Sequence, residues 1–358
     1  MEHFSAEVVE RGRRYHRPRY VSQLVEFVLV VGTLGLLAFT ALGDALLPDA
    51  RWWVQALVYP TIVLGVLELV LLPTSYWRGY VHEHRWQLST QTLRGWVVDK
   101  LKSFAISAVI ATVLFLGFFA VARALDAWVL VVAPLAALAI VFLMFIAPVV
   151  LEPVFNKFEP LRDEELANDL RSVAERAGVP VRDVLVADAS RRTNKQNAYV
   201  SGFGATRRVV IFDTLLNAAD PAELRSVLAH ELAHRRYRDV LNFTLIAVVI
   251  AVALVVVLWL VLDDPGNPRN VPLVLLVLSL AQPLALPFLA AISRRWEYRA
   301  DRFALRTTGE PRGLEQVFRR LVDANVSDLA PPRLVYWLRY SHPTVPERIA
   351  AIREAAGD

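Results

Sequence analysis

The chain of 358 residues is too apolar for an ordinary soluble protein, because 55% of its residues are hydrophobic and only 21% are charged. Its 39 basic and 35 acidic residues leave a net charge of +4, and this small excess indicates no nucleic-acid-binding surface. The sequence has no cysteine, which excludes disulfides, thiolate nucleophiles and cysteine-ligated metal sites, so any metal must be held by histidine or carboxylate side chains.

Six apolar runs are long enough to cross about 30 Å of hydrocarbon as helices. They cover residues 27–43, 52–77, 103–122, 127–151, 240–262 and 271–293. Glu68 interrupts the second run, where it marks either a short helix or, as we expect, a polar interior lining. The sequence therefore predicts a mainly α-helical, polytopic membrane protein with six transmembrane helices and the lipid bilayer as a partner.

The distribution of basic residues predicts the orientation of these helices. Five arginines precede the first run, whereas the loop after it carries only Arg51, so we expect the N-terminal tail to be cytoplasmic. With six spans, residues 78–102, 152–239 and 294–358 fall on the same side, and the polar turn 263–270 falls outside. Abundant alanine, valine and arginine with short loops suggest the cytoplasmic membrane of a bacterium.

This topology divides the chain into four parts. Residues 1–151 hold the tail and four spans, 152–239 form an extramembrane region, 240–293 hold the last two spans, and 294–358 form a second extramembrane segment. In the first extramembrane segment, helical spacing covers residues 163–177 before a Gly and a Pro. Short runs at 184–186, 199–203 and 208–212 predict a small antiparallel sheet.

A helix with metal-binding spacing follows the predicted sheet. Asp220, followed by Pro and with Glu223 three residues later, is a strong helix start. The helix carries the sequence His230-Glu231-Leu232-Ala233-His234, which places two imidazoles one turn apart on one face and Glu231 beside them. We expect one zinc ion per chain, since two histidines and a carboxylate leave an open position for a water that Glu231 can deprotonate.

The third ligand is expected from beyond the last span. The longer zinc signature with a third histidine is absent, because Tyr237 and Val240 occupy its Gly and His positions. The last two spans form a hairpin that returns the chain near the two histidines, where Glu297 is the candidate ligand. Asp301, one turn later, is expected to accept a hydrogen bond from a ligating imidazole. Glu297 alone could equally be a salt-bridge partner of neighbouring arginines.

Several stretches of the sequence resemble one known family. They are the zinc motif, EYRADRFA at 297–304, NAY at 197–199 leading to FDTLL at 212–216, SHP at 341–343 leading to ERI at 347–349, and LSTQTL at 88–93. They resemble the M48 integral-membrane metalloproteases, and within them the Ste24 branch, the CAAX prenyl proteases. The resemblance covers nearly the whole chain from about Tyr76.

This resemblance implies a zincin-like cytoplasmic metalloprotease domain at the end of a helix ring that surrounds an intramembrane chamber, and cleavage near the C-terminus of substrates. The implied roles are zinc ligation by His230, His234 and Glu297, general base catalysis by Glu231, substrate or transition-state binding by Asn197, and lining of the site by His342 and Arg348. By sequence alone, His342 could merely precede the helix start at Thr344. Eukaryotic members of the family have seven spans, whereas six are predicted here.

The expected function is a zinc-dependent endopeptidase that acts on peptide or protein segments at the membrane. Two alternatives stay open. The HtpX-like quality-control proteases of the same family typically place two spans before the zinc motif, whereas four precede it here. A non-catalytic, metal-binding membrane scaffold is the other alternative, although a purely structural site would need no general base at Glu231.

Overall fold

The computed structural model describes residues 4–202 and 204–357 of the chain. Over these residues the chain is mainly helical. The α-helices are α1 (Ala6–Phe39), α2 (Ala41–Leu46), α3 (Trp52–Tyr76), α4 (His82–Arg85), α5 (Leu93–Ala124), α6 (Val129–Ile146), α7 (Glu152–Phe155), α8 (Glu164–Arg176), α9 (Asp213–Leu216), α10 (Pro221–Arg236), α11 (Asp239–Val261), α12 (Val271–Thr308), α13 (Pro311–Asn325), α14 (Arg333–Arg339) and α15 (Val345–Ala356). The strands are β1 (Phe158–Pro160), β2 (Asp183–Ala187), β3 (Ala198–Ser201) and β4 (Arg208–Phe212).

Six helical stretches of the described chain are long and apolar enough to span a membrane, which confirms the predicted number of membrane helices. They are Ala6–Phe39, Trp52–Arg85, Leu93–Ala124, Val129–Ile146, Asp239–Val261 and Pro268–Thr308. Most of them extend past the predicted apolar runs. Hydropathy detects only the part of a helix that contacts hydrocarbon, so it misses polar extensions that are stabilised by contacts with the rest of the protein.

The helix α12 extends well past its predicted run: it continues for 38 residues from Val271 to Thr308, although Pro283 and Pro287 lie inside it. At 1.5 Å per residue, its first twenty residues cover about 30 Å, the thickness of the hydrocarbon. The residues beyond Ser293 therefore stand outside the hydrocarbon, where α12 packs against α10. One continuous helix thus joins the last span to the extramembrane region.

The helix α1 also extends outside the predicted span. It begins at Ala6, and its polar first half contacts other parts of the chain: the hydroxyl of Tyr20 donates to Asp328 (2.8 Å). At Gly12 the approach is so close that a Cβ atom would lie only 2.3 Å from the carbonyl oxygen of Ser327. Only glycine fits at this position, so the N-terminal half of α1 lies beside the C-terminal helices.

The opposite end of the bundle has its own polar contacts. Arg269, which precedes α12, forms an ion pair with Asp44 of α2 and donates to the carbonyl oxygen of Leu37 (2.7 Å). The N-terminal arginines and the extramembrane region are therefore at one end of the bundle, and the turn 263–270 is at the other. Between the ends, Glu68 pairs with Lys100 of α5 (2.6 Å), which lowers the cost of a charge at this depth.

The membrane helices α11 and α12 pack mainly at their ends. One apolar cluster joins them near Arg269, and its buried members include Leu34, Tyr59, Phe119, Leu258 and Val271. In contrast, the described residues 245–254 of α11 and 277–289 of α12 include no buried side chain. Helices that are packed at their ends and open in the middle are expected for the walls of an intramembrane chamber.

The prediction of an antiparallel sheet is wrong, because the sheet is mixed. Its strand order is β1-β2-β4-β3, with β2 and β4 parallel and the two outer pairs antiparallel. The strand that follows β2 in the sequence, β3, does not pair with β2. Instead, β4 lies between β2 and β3 and pairs with both. As a result, β3 is an edge strand, and it contacts α10. Phe203, the last residue of the predicted strand 199–203, lies outside the described residues.

The core of the extramembrane region surrounds α10. Buried side chains of α8, α13, α15 and the sheet form one cluster with Leu228 and Leu232 of α10. Because its apolar face is fixed on several sides, α10 holds its other residues in defined positions. This rigidity matters for the side chains that project from α10 toward α12.

Candidate metal centre

The helix α10 starts at the capping box that the sequence predicts. The carboxylate of Asp220 accepts from the amide of Glu223 (2.9 Å), and the carboxylate of Glu223 accepts from the amide of Asp220 (2.9 Å). Arg320 of α13 pairs with the buried Glu223 (2.9 Å). The start of the helix is thus fixed to α13, and the two histidines follow on the next turns.

Three predicted ligands converge between α10 and α12. The Nε2 atom of His230 lies 3.4 Å from one carboxylate oxygen of Glu297, and the Nε2 atom of His234 lies 3.4 Å from the other. The two Nε2 atoms are 3.3 Å apart. All three candidate ligand atoms lie within 4.8 Å of one another, so a single ion could contact them together.

The environment of Glu297 fits a metal ion. The side chain is only 4% exposed, and its buried Oε2 atom accepts no hydrogen bond in the described chain; Nε2 of His230 lies 3.4 Å from it and a guanidinium nitrogen of Arg348 lies 3.6 Å from it. A buried carboxylate oxygen without a hydrogen bond is costly, and a cation lowers that cost. Two imidazole nitrogens and one carboxylate oxygen are also a ligand set that zinc prefers. The residues present therefore fit the metal.

Each of the two histidines donates a hydrogen bond from its Nδ1 atom to a carboxylate. The Nδ1 atom of His230 donates to Asp301 (2.8 Å), and the Nδ1 atom of His234 donates to Asp239 (3.0 Å). These bonds fix the tautomer in which both Nε2 atoms present a lone pair to the shared point. Each carboxylate is in turn paired with an arginine: Asp301 with Arg348 and Asp239 with Arg299.

In the absence of metal, these carboxylates also favour protonated histidines. Burial lowers the pKa of His234, but the hydrogen bonds with Asp239 and Glu297 outweigh this effect and raise the pKa to about 10. Burial likewise lowers the pKa of His230, and the carboxylates of Asp301 and Glu297 raise it above its usual value. A metal ion must therefore displace protons when it binds here.

Glu231 lies beside the three converging residues and lines a cavity of about 230 Å³. The cavity opens between β3, α11 and α12, and His234 and Glu297 line it together with Glu231. Burial raises the pKa of Glu231 above its usual value, although the neighbouring histidines oppose the shift. A carboxylate beside a metal position is suited to accept a proton from a bound water.

Comparison with known proteins identifies the family. The family model described as "Peptidase family M48" matches residues 160–356, which is more than half of the chain. The chain belongs to peptidase family M48. A second model, described as "CAAX prenyl protease N-terminal, five membrane helices", matches residues 2–157, where the described chain has four candidate spans. The protein is therefore a membrane metalloprotease, and its family implies a metal cofactor.

Two relatives of this M48 protease cover most of its length. It is 30% identical over 341 residues to the "Uncharacterized metalloprotease YhfN" of Bacillus subtilis, with 87% of this chain and 79% of the relative covered. It is also 30% identical over 346 residues to "CAAX prenyl protease 1" of Saccharomyces cerevisiae, with 87% and 76% covered. The crystal structure of S. mikatae Ste24p has the same fold, with a TM-score of 0.82 at 23% identity over 98% of this chain and 89% of that one.

The remaining predicted site residues of the M48 protease occupy three different positions. His342 is 59% exposed, and its Nε2 atom lies 3.3 Å from Glu297. Arg348 is buried behind His230, and its guanidinium group donates to Asp301 (2.8 Å from Nε). Asn197 precedes β3; its carbonyl oxygen accepts from the amide of Phe212, but its exposed side chain has no described bond to the three clustered residues.

Asp239 is a site residue that the sequence analysis missed. It is the first residue of α11, next to the left-handed residue Arg238 that separates α10 from α11. This sharp turn brings Asp239 back to His234, five positions earlier in the sequence. The sequence could have indicated a second such residue, because each ligating histidine needs a hydrogen-bond acceptor for its second nitrogen. The sequence analysis named only one acceptor, Asp301, for the two histidines.

Proposed function

We propose that this M48 protease is a zinc-dependent endopeptidase that hydrolyses peptide bonds in membrane-associated or C-terminal protein segments. One observation carries the proposal: His230, His234 and Glu297 converge on one point, Glu297 retains a buried oxygen without a hydrogen bond, and Glu231 lies beside them. Three protein ligands leave an open coordination position, which catalytic zinc sites need and structural sites fill.

Zinc, when bound, would lower the pKa of a coordinated water to about 7 and polarise the peptide carbonyl group. The protein supplies the other functions. Glu231 is proposed as the general base that accepts the proton of the attacking water and passes it to the leaving amine. His342, exposed next to Glu297, is available to contact the substrate, whereas Arg348 acts through Asp301 as a positioning residue.

The edge strand β3 offers a binding position for the substrate backbone. The carbonyl oxygen of Asn197 bonds to Phe212 on β4, so by alternation the backbone of Ala198 faces the open edge. Ala198 and Glu231 line the same small cavity. We propose that a peptide pairing with β3 passes beside Glu231 and contacts Asn197 at one end.

The substrate class follows from the position of the site in the fold. The metal centre lies at the end of six membrane helices of the described chain, two of which, α11 and α12, have no buried side chain in their middle sections, so a segment emerging from the bilayer could reach it. The relative named CAAX prenyl protease 1 supports a substrate segment near a C-terminus. We further propose that the site faces the cytoplasm of a bacterial cell, because the N-terminal arginines lie at the same end of the bundle.

Replacement of Glu231 with glutamine tests the proposed function. Glu231→Gln should retain zinc and lose hydrolysis of test peptides by about 10²- to 10⁴-fold, because only proton transfer is removed. Zinc content by atomic absorption and peptide hydrolysis would be measured on the same purified protein. Glu175→Gln, the same change at an exposed position of α8, is the matched control. Wild-type turnover of the Glu231→Gln variant would contradict the proposal.

A further inference from the structure

We propose that the side chains of Asn325 and Arg235 close the open edge of β3 on either side of Ala198, so that a substrate N–H group donates to this edge only at Ala198. This inference rests on the proposed peptidase function and on the pairing of the substrate with β3. It makes Asn325 and Arg235 positioning residues, which fix the substrate residue that lies beside Glu231. It is carried by the hydrogen bonds along the edge and by the turn that places Asn325.

Three successive backbone positions face the open edge. The carbonyl oxygen of Asn197 accepts from the amide of Phe212 on β4 (3.0 Å), and the two strands are antiparallel. In an antiparallel pair, only every second residue bonds to a given neighbour. Residues 196, 198 and 200 therefore direct their amide and carbonyl groups away from β4, toward the side that a substrate would occupy.

The first of these positions, Gln196, is already occupied by a side chain. The amide of Gln196 donates to Oδ1 of Asn325 (2.9 Å), and its carbonyl oxygen accepts from Nδ2 of Asn325 (3.1 Å). The side-chain amide thus makes both hydrogen bonds that a neighbouring strand would make. A substrate can pair with Gln196 only if Asn325 is displaced.

The turn that places Asn325 is energetically unfavourable. Asn325 is the last residue of α13, and Val326 after it has a left-handed backbone with φ of 51°, which is rare for a β-branched residue. Such a conformation persists only where the surrounding structure holds it. Here Val326 is buried, and its carbonyl oxygen lies 2.9 Å from Nε2 of His16 on α1. Contacts with α1 therefore keep Asn325 at the edge of β3.

The third position, Val200, has an occupied acceptor. Its carbonyl oxygen accepts from the guanidinium group of Arg235, which follows His234 on α10. The backbone of Ala198, between the two occupied positions, has no side-chain partner in the described part of the chain, and Ala198 lines a small cavity with Glu231. One substrate residue can therefore exchange two hydrogen bonds with Ala198 beside the proposed base, whereas residues two positions away find their acceptors already bonded.

Replacement of substrate amides by esters tests how many of them donate to the edge. The parent is a short synthetic peptide that the wild-type protein cleaves at one bond. Each derivative has one other amide replaced by an ester, which removes the N–H donor. For the wild-type protein, one replacement should lower kcat/KM by about 2- to 10-fold, as expected for the loss of one hydrogen bond between neutral groups.

Two substitutions should each add a second sensitive amide. Asn325→Ala frees the carbonyl oxygen of Gln196, and Arg235→Met frees that of Val200. Because alternate residues face the edge, the new sensitive amide should lie two residues from the first, on opposite sides in the two variants. Asn168→Ala, a change at an exposed asparagine of α8, is the matched control and should keep the wild-type pattern.

Zinc content checks that each variant retains its folded site, and either variant alone suffices if the other fails to fold. A general loss of activity without a new sensitive amide in either variant, with zinc retained, would overturn the proposal. Two sensitive amides spaced two residues apart in the wild-type protein, or none, would overturn it without any variant. Failure of the proposed function has a different signature: wild-type protein and Glu231→Gln would then hydrolyse the parent peptide equally.

Discussion

Asp301 and Asp239 each accept a hydrogen bond from a histidine, but they pair with arginines of different burial, and this difference yields a quantitative prediction. Asp301→Asn should weaken zinc binding and also lower the stability of the metal-free protein. Asp239→Asn should weaken zinc binding with a much smaller loss of stability. The reason is the arginine on the far side of each carboxylate, since Arg348 is almost fully buried and Arg299 is not.

The magnitudes follow from these exposures. The side chains of Arg348 and Asp301 are 10% and 2% exposed, and removal of one partner of a buried pair costs about 3–5 kcal/mol. The side chain of Arg299 is 33% exposed, so water can stabilise it when Asp239 is replaced; we expect a loss of about 1 kcal/mol. Each substitution should lower zinc affinity by about 10- to 100-fold, because each releases one imidazole.

The assay measures two quantities on each variant in detergent. Unfolding of metal-free protein gives stability, and competition with a chelating dye gives zinc affinity. The double variant Asp301→Asn with Arg348→Met removes both charges of the buried pair, so it should recover most of the lost stability without recovering zinc affinity. Equal losses of stability for Asp239→Asn and Asp301→Asn would refute the argument from burial. Unchanged zinc affinity in both variants would refute the orienting role of the carboxylates.

Three further predictions concern the ligand, the substrate contact and the orientation. Glu297→Ala should lower zinc occupancy more than Asp301→Asn does, as measured by metal analysis. The reverse order would indicate that Asp301 is the ligand and that Glu297 orients a histidine. Asn197→Ala should lower kcat/KM for peptides while zinc content stays at the wild-type level; unchanged kinetics would remove Asn197 from the site. Because the chain has no cysteine, a cysteine at Asp263 should react with an impermeant thiol reagent in intact cells, and one at Glu175 only after the membrane is opened. Labelling at Glu175 in sealed cells would contradict a cytoplasmic site.

The sequence predicts those parts of the fold that local pattern determines. The apolar runs predict six membrane helices because hydrocarbon imposes a length and a composition on each span. The capping box at Asp220 and the spacing of His230 and His234 depend on residues within a few turns of one helix. Such features need no knowledge of the rest of the chain.

The features that the sequence analysis missed depend on contacts between distant segments. The mixed sheet results from the placement of β4 between β2 and β3, which no strand determines by its own residues. The polar half of α1 is stabilised by tertiary contacts such as that of Tyr20 with Asp328. Asp239 reaches His234 only because of the turn at Arg238, whose left-handed backbone the residue type does not reveal.

The continuity of α12 ties the candidate metal ligand to the thickness of the bilayer. Glu297 stands 26 positions after Val271, or about 39 Å along the helix, so it lies about 9 Å beyond a hydrocarbon layer of about 30 Å. A thicker membrane would bring the site closer to the lipid headgroups, and a thinner one would lift it away from them. The helix can compensate only by tilting or by bending near Pro283 and Pro287, both of which lie between the two ends. The lipid around this protein thereby helps to set how far a substrate segment must emerge before it can reach the site.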